Sequence, residues 1–221
     1  MQTIDLEGNG RIRVERTEID VRYRGKVATF VLPIDGPDHH AQVMERIDLQ
    51  ELLRPTTSQS LSLVDLAMQN PNEKHCVEVL NRFTKSYLWT ATESLSFSDE
   101  VFVYDNIKGE MPLNRSDLLE LSRQREERVR LIKKGFKTGL MSIEEALVNP
   151  YVIAQIGENM LPIFERVAKR LNESEVYVFG SSSTRQDVKT YTSLFVYDHK
   201  LDLDGSCHGK DKNGYAYGVA V

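Results

Sequence analysis

Polar and apolar positions alternate over the first thirty residues: Ile12 and Val14 against Arg11, Arg13 and Glu15, then Ile19, Val21 and Tyr23 against Asp20, Arg22 and Arg24. A period of two puts one set on each face of a strand, so this stretch predicts half-buried β-structure. Gly8-Asn9-Gly10 and Arg24-Gly25-Lys26 supply turns. The result is a meander of about three strands, the last running from Val27 to Leu32 and ended by Pro33. Residues 35–42, DGPDHHAQ, read as a loop.

The period then lengthens. Residues 48–54 open with Asp48 and Glu51 at capping-box spacing and stop at Pro55, which predicts a short helix. Ser60 caps a second, with Leu61, Val64, Ala67 and Met68 on one face. A third starts at Asn72 and aligns Cys76, Val79, Leu80, Phe83 and Tyr87. Alternation returns at 94–104, SLSFSDEVFVY, as a hairpin. Ser116 then caps a long helix to Lys134, with Leu118, Leu121, Val129 and Ile132 inward. Ser142 and Glu145 form a second capping box, Asn149-Pro150 starts another helix, and Pro162 splits it. Strands resume at 176–179, 192–197 and 215–219.

β-rich segments at 1–34 and 175–221, helical segments at 43–90 and 116–171, and a hairpin at 94–104 make one domain of α+β class. The expected architecture is a mainly antiparallel sheet built from N- and C-terminal strands, with a central block of helices packed on it. At 221 residues a single core is large enough to need neither disulfide nor structural metal.

Composition narrows the class without naming a task. Hydrophobic residues make up 40%, which excludes disorder as the main state. No apolar run approaches a membrane span, no signal-peptide core opens the chain, and the two cysteines make no disulfide framework. A soluble protein in a reducing cytoplasm is expected, with no membrane partner. Arg11, Arg13, Arg22, Arg24 and Lys26, and Arg123, Arg125, Arg128, Arg130, Lys133, Lys134 and Lys137, make two basic stripes. Acids interleave with them and the net charge is −5, so a nucleic-acid partner is not expected.

Candidate chemistry gathers near the C-terminus. The stretch Val176-Tyr-Val-Phe-Gly180-Ser181, a strand ending in Gly-Ser, is followed by Asp202-Leu-Asp204. In outline this resembles the nucleotidyltransferase family, and the resemblance implies a substrate-binding turn at Gly180 and Ser181 with Mg²⁺ held by Asp202 and Asp204 as catalytic carboxylates. The Asp-x-Asp follows Ser181 by 21 residues, with a strand between, and no third carboxylate has a strand to carry it. The run DHKLDLDGSCHGKDKNG at 198–214 is expected to be a flexible hairpin connection, in which Asp202, Asp204 and His208 are the candidate metal ligands. His39 and His40 could donate imidazoles to the same place if the terminal strands are neighbours, but adjacent histidines in an Asp/Gly/Pro loop are expected to be solvated. Gly135-Phe-Lys-Thr-Gly139 puts Lys137 on a glycine-hinged loop that could meet a phosphate. Cys76 lies on an apolar helical face and reads as an inert buried thiol.

Every catalytic pattern fails at least one geometric requirement. The expected function is therefore non-catalytic binding of a protein or small-molecule partner with no cofactor; the alternative is a metal-dependent phosphoryl or nucleotidyl transferase using Mg²⁺.

Overall fold

The computed structural model describes residues 3–7, 10–13, 18–23, 25–111, 114–124, 127–172, 174–180 and 188–220. Of the positions singled out above, Gly8, Asn9, Val14, Glu15, Arg24, Arg125 and Ser181 lie outside the described residues, as do the side chains of Arg11, Ile12, Arg13 and Tyr23.

The N-terminal alternation becomes β1 (Thr3–Leu6), β2 (Gly10–Arg13), β3 (Glu18–Tyr23) and β4 (Lys26–Val31), paired in that order as an antiparallel sheet. Ile19, Val21, Ala28 and Phe30 are buried, as their period demands. The meander has one strand more than expected, because Thr3–Leu6 pairs with β2.

After β5 (Asp35–Asp38) come α1 (His40–Leu49), α2 (Thr57–Gln69) and α3 (Lys74–Lys85), then the hairpin of β6 (Tyr87–Ser96) and β7 (Glu100–Asp105). The chain continues through α4 (Arg115–Arg123), β8 (Val129–Lys133), β9 (Gly139–Ser142), α5 (Ile143–Leu147), α6 (Pro150–Ile156) and α7 (Leu161–Leu171). It closes with β10 (Glu175–Gly180), β11 (Val188–Tyr197), β12 (Lys200–Cys207) and β13 (Gly214–Ala216). The expected devices start the helices: Ser142 and Glu145 form a reciprocal box, and Asn149 caps α6 with Pro150 in its first turn. Pro162 lies in the first turn of α7, so the split falls where its missing N–H costs least.

A nine-stranded sheet runs β5-β13-β6-β11-β12-β10-β9, with β7 on the second half of β6 and β8 on β7. Only β10/β12 and β13/β6 are parallel among its pairs. The class is α+β with a mainly antiparallel sheet. The two ends of the chain meet, although as two sheets and not as one: Val31 N–H donates to the Gly218 carbonyl at 2.9 Å, Ala220 N–H to Thr29 at 2.8 Å, and Phe30 bridges Val219. Helices α2, α3 and α7 fill the core between these sheets with Leu61, Val64, Val79, Phe83, Phe164 and Val167.

Five expectations need correction. The helix read at 48–54 lies earlier: Val43, Met44 and Ile47 carry the buried stripe of α1, while Asp48 accepts from Arg54 instead of capping. The second helix starts at Thr57, capped by Thr56 with Gln59 as its reciprocal partner, so Ser60 is interior. The long helix from Ser116 stops at Arg123, and Val129–Lys133 instead pairs with β7, whose buried Val101–Tyr104 needs a neighbour; tertiary pairing overrides a helical spacing of Leu and Val. Residues 200–207 are a strand and not part of a flexible connection, because Leu201 and Leu203 point into the core and put the intervening aspartates on the opposite face. Asp35–Asp38, read as loop, pairs with β13.

Candidate functional site

Strands β6, β11, β12 and β10 lie side by side, and alternation sorts their residues onto two faces. The inner face carries Leu88, Leu194, Leu201, Leu203, Val176 and Val178, all buried under the helices. Across the ladder, Tyr177 is level with Asp202, Phe179 with Asp204, Phe195 with Asp202, and Ser193 with Asp204 and Trp89. Those register partners share the outer face. Tyr177 stacks on Phe179 at 6.0 Å and meets Tyr197 edge-on at 5.4 Å, while Tyr87 packs on Phe195 at 4.6 Å and stacks on Trp89 at 5.8 Å. Tyr197 is 57% exposed and Leu140, level with Tyr177 on β9, is 43% exposed. The outer face is thus a wall of aromatic rings with two carboxylates set between them.

The carboxylates are unequal. Asp204 is half-buried and accepts from Ser206 N–H at 2.8 Å, Ser206 Oγ at 2.6 Å and Cys207 Sγ at 3.1 Å. Asp202 is 2% exposed, and its Oδ1 is buried without a hydrogen-bond partner. Burial, followed by repulsion from Asp204, pushes the Asp202 carboxyl up to about 8. Burial also raises the Cys207 thiol well beyond its usual range, with Asp204 adding to it, so this sulfur is a poor nucleophile. A pocket of about 170 Å³ opens between Tyr87, Trp89, Asp204, Cys207, His208 and Asp211. His40 borders this end of the face, stacked on Tyr191 at 3.9 Å and edge-on to Trp89, with Nε2 3.0 Å from the Thr90 carbonyl.

The structure therefore joins some of the expected residues and separates others. Asp204 and His208 share a pocket, and α1 brings His40 beside Gly209, whose carbonyl accepts from His40 N–H at 3.2 Å. Asp202, Asp204 and His208 do not converge as a metal set; among the described residues no group of three His, Cys, Asp or Glu does. Gly180 is level with Gly205 and belongs to the inner face, opposite the aspartates. A Cβ on Gly180 would sit 2.8 Å from Phe136 and 3.0 Å from Tyr151, and one on Gly205 would meet the Tyr151 hydroxyl, so both glycines make room for rings. Lys137 is ion-paired to Glu145 at 2.7 Å, beside a 490 Å³ pocket shared with Lys133, Lys134 and Phe136. Cys76 is buried, and burial is the main cause that raises its thiol to about 12. A larger groove of 1160 Å³ lies between Lys26, Ala28, Gln59, Arg130 and Glu158 and carries both signs of charge.

What the sequence reading missed is the aromatic wall. Its signal was present as Tyr177/Phe179 and Phe195/Tyr197, aromatics at period two, yet their neighbours Val176, Val178, Leu194 and Val196 are apolar as well. Both faces of these strands looked like core.

No protein-family model matches the chain, and no curated protein matches it in sequence. Among solved structures it is similar to one described as "Accommodation of massive sequence variation in Nanoarchaeota by the C-type lectin fold", with a TM-score of 0.57 and 14% identity over 86% of this chain and 97% of that one. At that identity the likeness is one of architecture: the helices and mixed sheet described above follow the C-type lectin fold.

Proposed function

We propose that the chain is a non-catalytic binding protein whose ligand surface is the outer face of β10, β12 and β11. One observation carries this reading: partly exposed aromatic rings, with Tyr197 the most open, stand in register on a sheet face where a folded protein would ordinarily turn polar side chains to water. Rings held on strands bury much area on contact while losing little side-chain freedom. The similar solved structure adds support in its own words, a C-type lectin fold that accommodates massive sequence variation, since such a frame lets surface side chains change while the fold stays. The transferase alternative has less behind it, because Gly180 and the two aspartates face opposite sides of the sheet.

The test is a screen of neutral aromatic and polar fragments by amide-resolved NMR. Shifts that cluster on β10–β12 and the Trp89 indole are expected. Shifts that cluster instead on the groove between Lys26 and Glu158 would overturn the assignment of the surface.

A further inference from the structure

The loop 134–138 joins β8 to β9, and each of those strands has a neighbour on one side only among the described residues. Two glycines at left-handed φ, Gly135 at +102° and Gly139 at +93°, set its course. The loop is nonetheless held. Asn149 Nδ2 donates to the Lys137 carbonyl at 2.9 Å, and the Phe136 ring lies flat against buried Tyr151 at 4.6 Å, in the space that Gly180 leaves. The pocket beside this loop, about 490 Å³, is therefore built by pinned elements and falls within the ~300–1,000 Å³ that small-molecule sites occupy.

Its lining is lopsided in charge. Lys133, Lys134 and Lys137 face a single carboxylate, Glu145. Lys133 is exposed and has no ion-pair partner among the described residues, because Glu100, level with it on β7, accepts from Arg115 at 2.7 Å. Glu145 is shared: one oxygen holds Lys137 at 2.7 Å, and the other accepts from Ser142 N–H at 2.9 Å in the capping box. The remaining wall is apolar. Phe136 and Pro150 form part of it, and Val148 is 76% exposed, which only Leu49 exceeds among the large apolar side chains described.

We infer that this pocket binds a small phosphate monoester with a flat apolar body, its phosphate on the lysines and its body against Phe136 and Val148. Three ammonium groups against one carboxylate leave an excess of two positive charges, which matches the near-dianion that a phosphate monoester is at pH 7. Ammonium groups are point donors and suit a tetrahedral group approached from several sides. A planar carboxylate would favour an arginine fork, and no arginine is among the described lining residues. The apolar wall lets the body of the ligand leave water, a gain that inorganic phosphate cannot make. No residue of this pocket belongs to the outer face of β10, β12 and β11, so the inference stands apart from the reading above.

The experiment titrates phenyl phosphate, phenol, benzoate and inorganic phosphate separately into the isotopically labelled full chain. Phenyl phosphate is expected to shift the amides of 135–139 and the Val148 methyls saturably. Each of the other three should be at least ~10-fold weaker at those signals, the scale of a charge-assisted hydrogen bond or a buried ring. Lys133→Gln/Lys137→Gln should bring phenyl phosphate down to the level of phenol. Val148→Ser should weaken phenyl phosphate about 4-fold, the effect of roughly one buried methylene, and leave inorganic phosphate unchanged. If the double variant does not fold, Lys133→Gln alone, which breaks no described ion pair, makes the same comparison. Phenol or inorganic phosphate binding as well as phenyl phosphate would overturn the joint use of charge and apolar wall, and benzoate binding as well would overturn the choice of phosphate. No saturable shift, or binding unchanged by the lysine substitutions, would overturn the site.

Discussion

Asp65 and Asp202 are both almost wholly buried, one on a helix and one on a strand, and they meet burial in opposite ways. Asp65 on α2 receives a bidentate arginine from α7 and an amide from Gln69, so its charge is matched inside the fold. Asp202 on β12 has rings on either side in register and a second carboxylate two residues away, so its charge is unmatched and it holds its proton instead. A buried carboxylate left in that condition costs stability. The difference locates the part of the molecule where folding alone does not account for the residue present. It also turns into measurements, because matched and unmatched carboxylates respond to pH and substitution with different signs.

The largest effect is expected at the unmatched site. The folded protein keeps Asp202 protonated up to about pH 8, whereas the unfolded chain releases that proton near the ordinary value of 3.8. Folded molecules therefore bind the extra proton between those limits, and the wild type loses stability as pH rises through that window, with no further loss above it. Asparagine keeps the shape and never ionises. Asp202→Asn should match the wild type in urea unfolding near pH 4 and exceed it by on the order of 3 kcal/mol at pH 8. A variant less stable than wild type at pH 8 would mean that the carboxyl is matched after all.

Removing the match at the other site should create a second unmatched acid. Arg166→Ala leaves Asp65 with Gln69 alone. Breaking a buried pair costs about 3–5 kcal/mol, but the Arg166 side chain is 44% exposed and water can reach what it vacates, so a loss of about 2 kcal/mol at pH 7 is expected. Asp65→Asn in the Arg166→Ala background should recover most of that loss, because the unmatched acid is then gone; no recovery would assign Arg166 to packing rather than charge.

How much of this contrast was legible in the chain depended on the length scale of its signal. The capping box of Ser142 and Glu145, Asn149-Pro150 and the split at Pro162 are contained within four or five residues, and they fall where they were read, whereas the same spacing at Asp48 and Glu51 starts no helix. The fate of Val129–Lys133 is decided by pairing with Val101–Tyr104, some thirty residues away, and no local spacing carries that. The aspartates were found and misplaced: Asp202 and Asp204 looked like loop formers among Gly, Lys and His, while the alternating Leu201 and Leu203 that make them strand residues were outweighed. Gly180 was noticed for the right property, room for something close, but what comes close is the protein's own Tyr151 and Phe136. The partner of Asp65 lies 101 residues along the chain, so nothing in the sequence distinguished a matched acid from an unmatched one.

The smallest effect sharpens the comparison by opposing it. His40 is buried between Tyr191 and Trp89, and burial pulls its imidazole down to about 4, only partly offset by the Thr90 carbonyl that holds its Nε2. The unfolded chain takes up a proton near 6.5, so this group withdraws stability as pH falls from about 6.5 toward 4. Asp202 acts with the opposite sign over the same interval, and the two contributions largely cancel there in the wild type. His40→Phe keeps a ring in the stack, gives up the bond to Thr90 at a cost of about 1 kcal/mol at neutral pH, and removes the titration. Relative to wild type the variant should gain about 1–2 kcal/mol between pH 7 and pH 4, while Asp202→Asn should lose its advantage across the same range. Combining both substitutions should leave a pH profile parallel to that of the wild type from about 4 to 6.5, because the two rings and the strand that separate the sites leave each titration on its own. A combined profile that instead follows either single variant would show that His40 and Asp202 titrate as one coupled unit across the outer face.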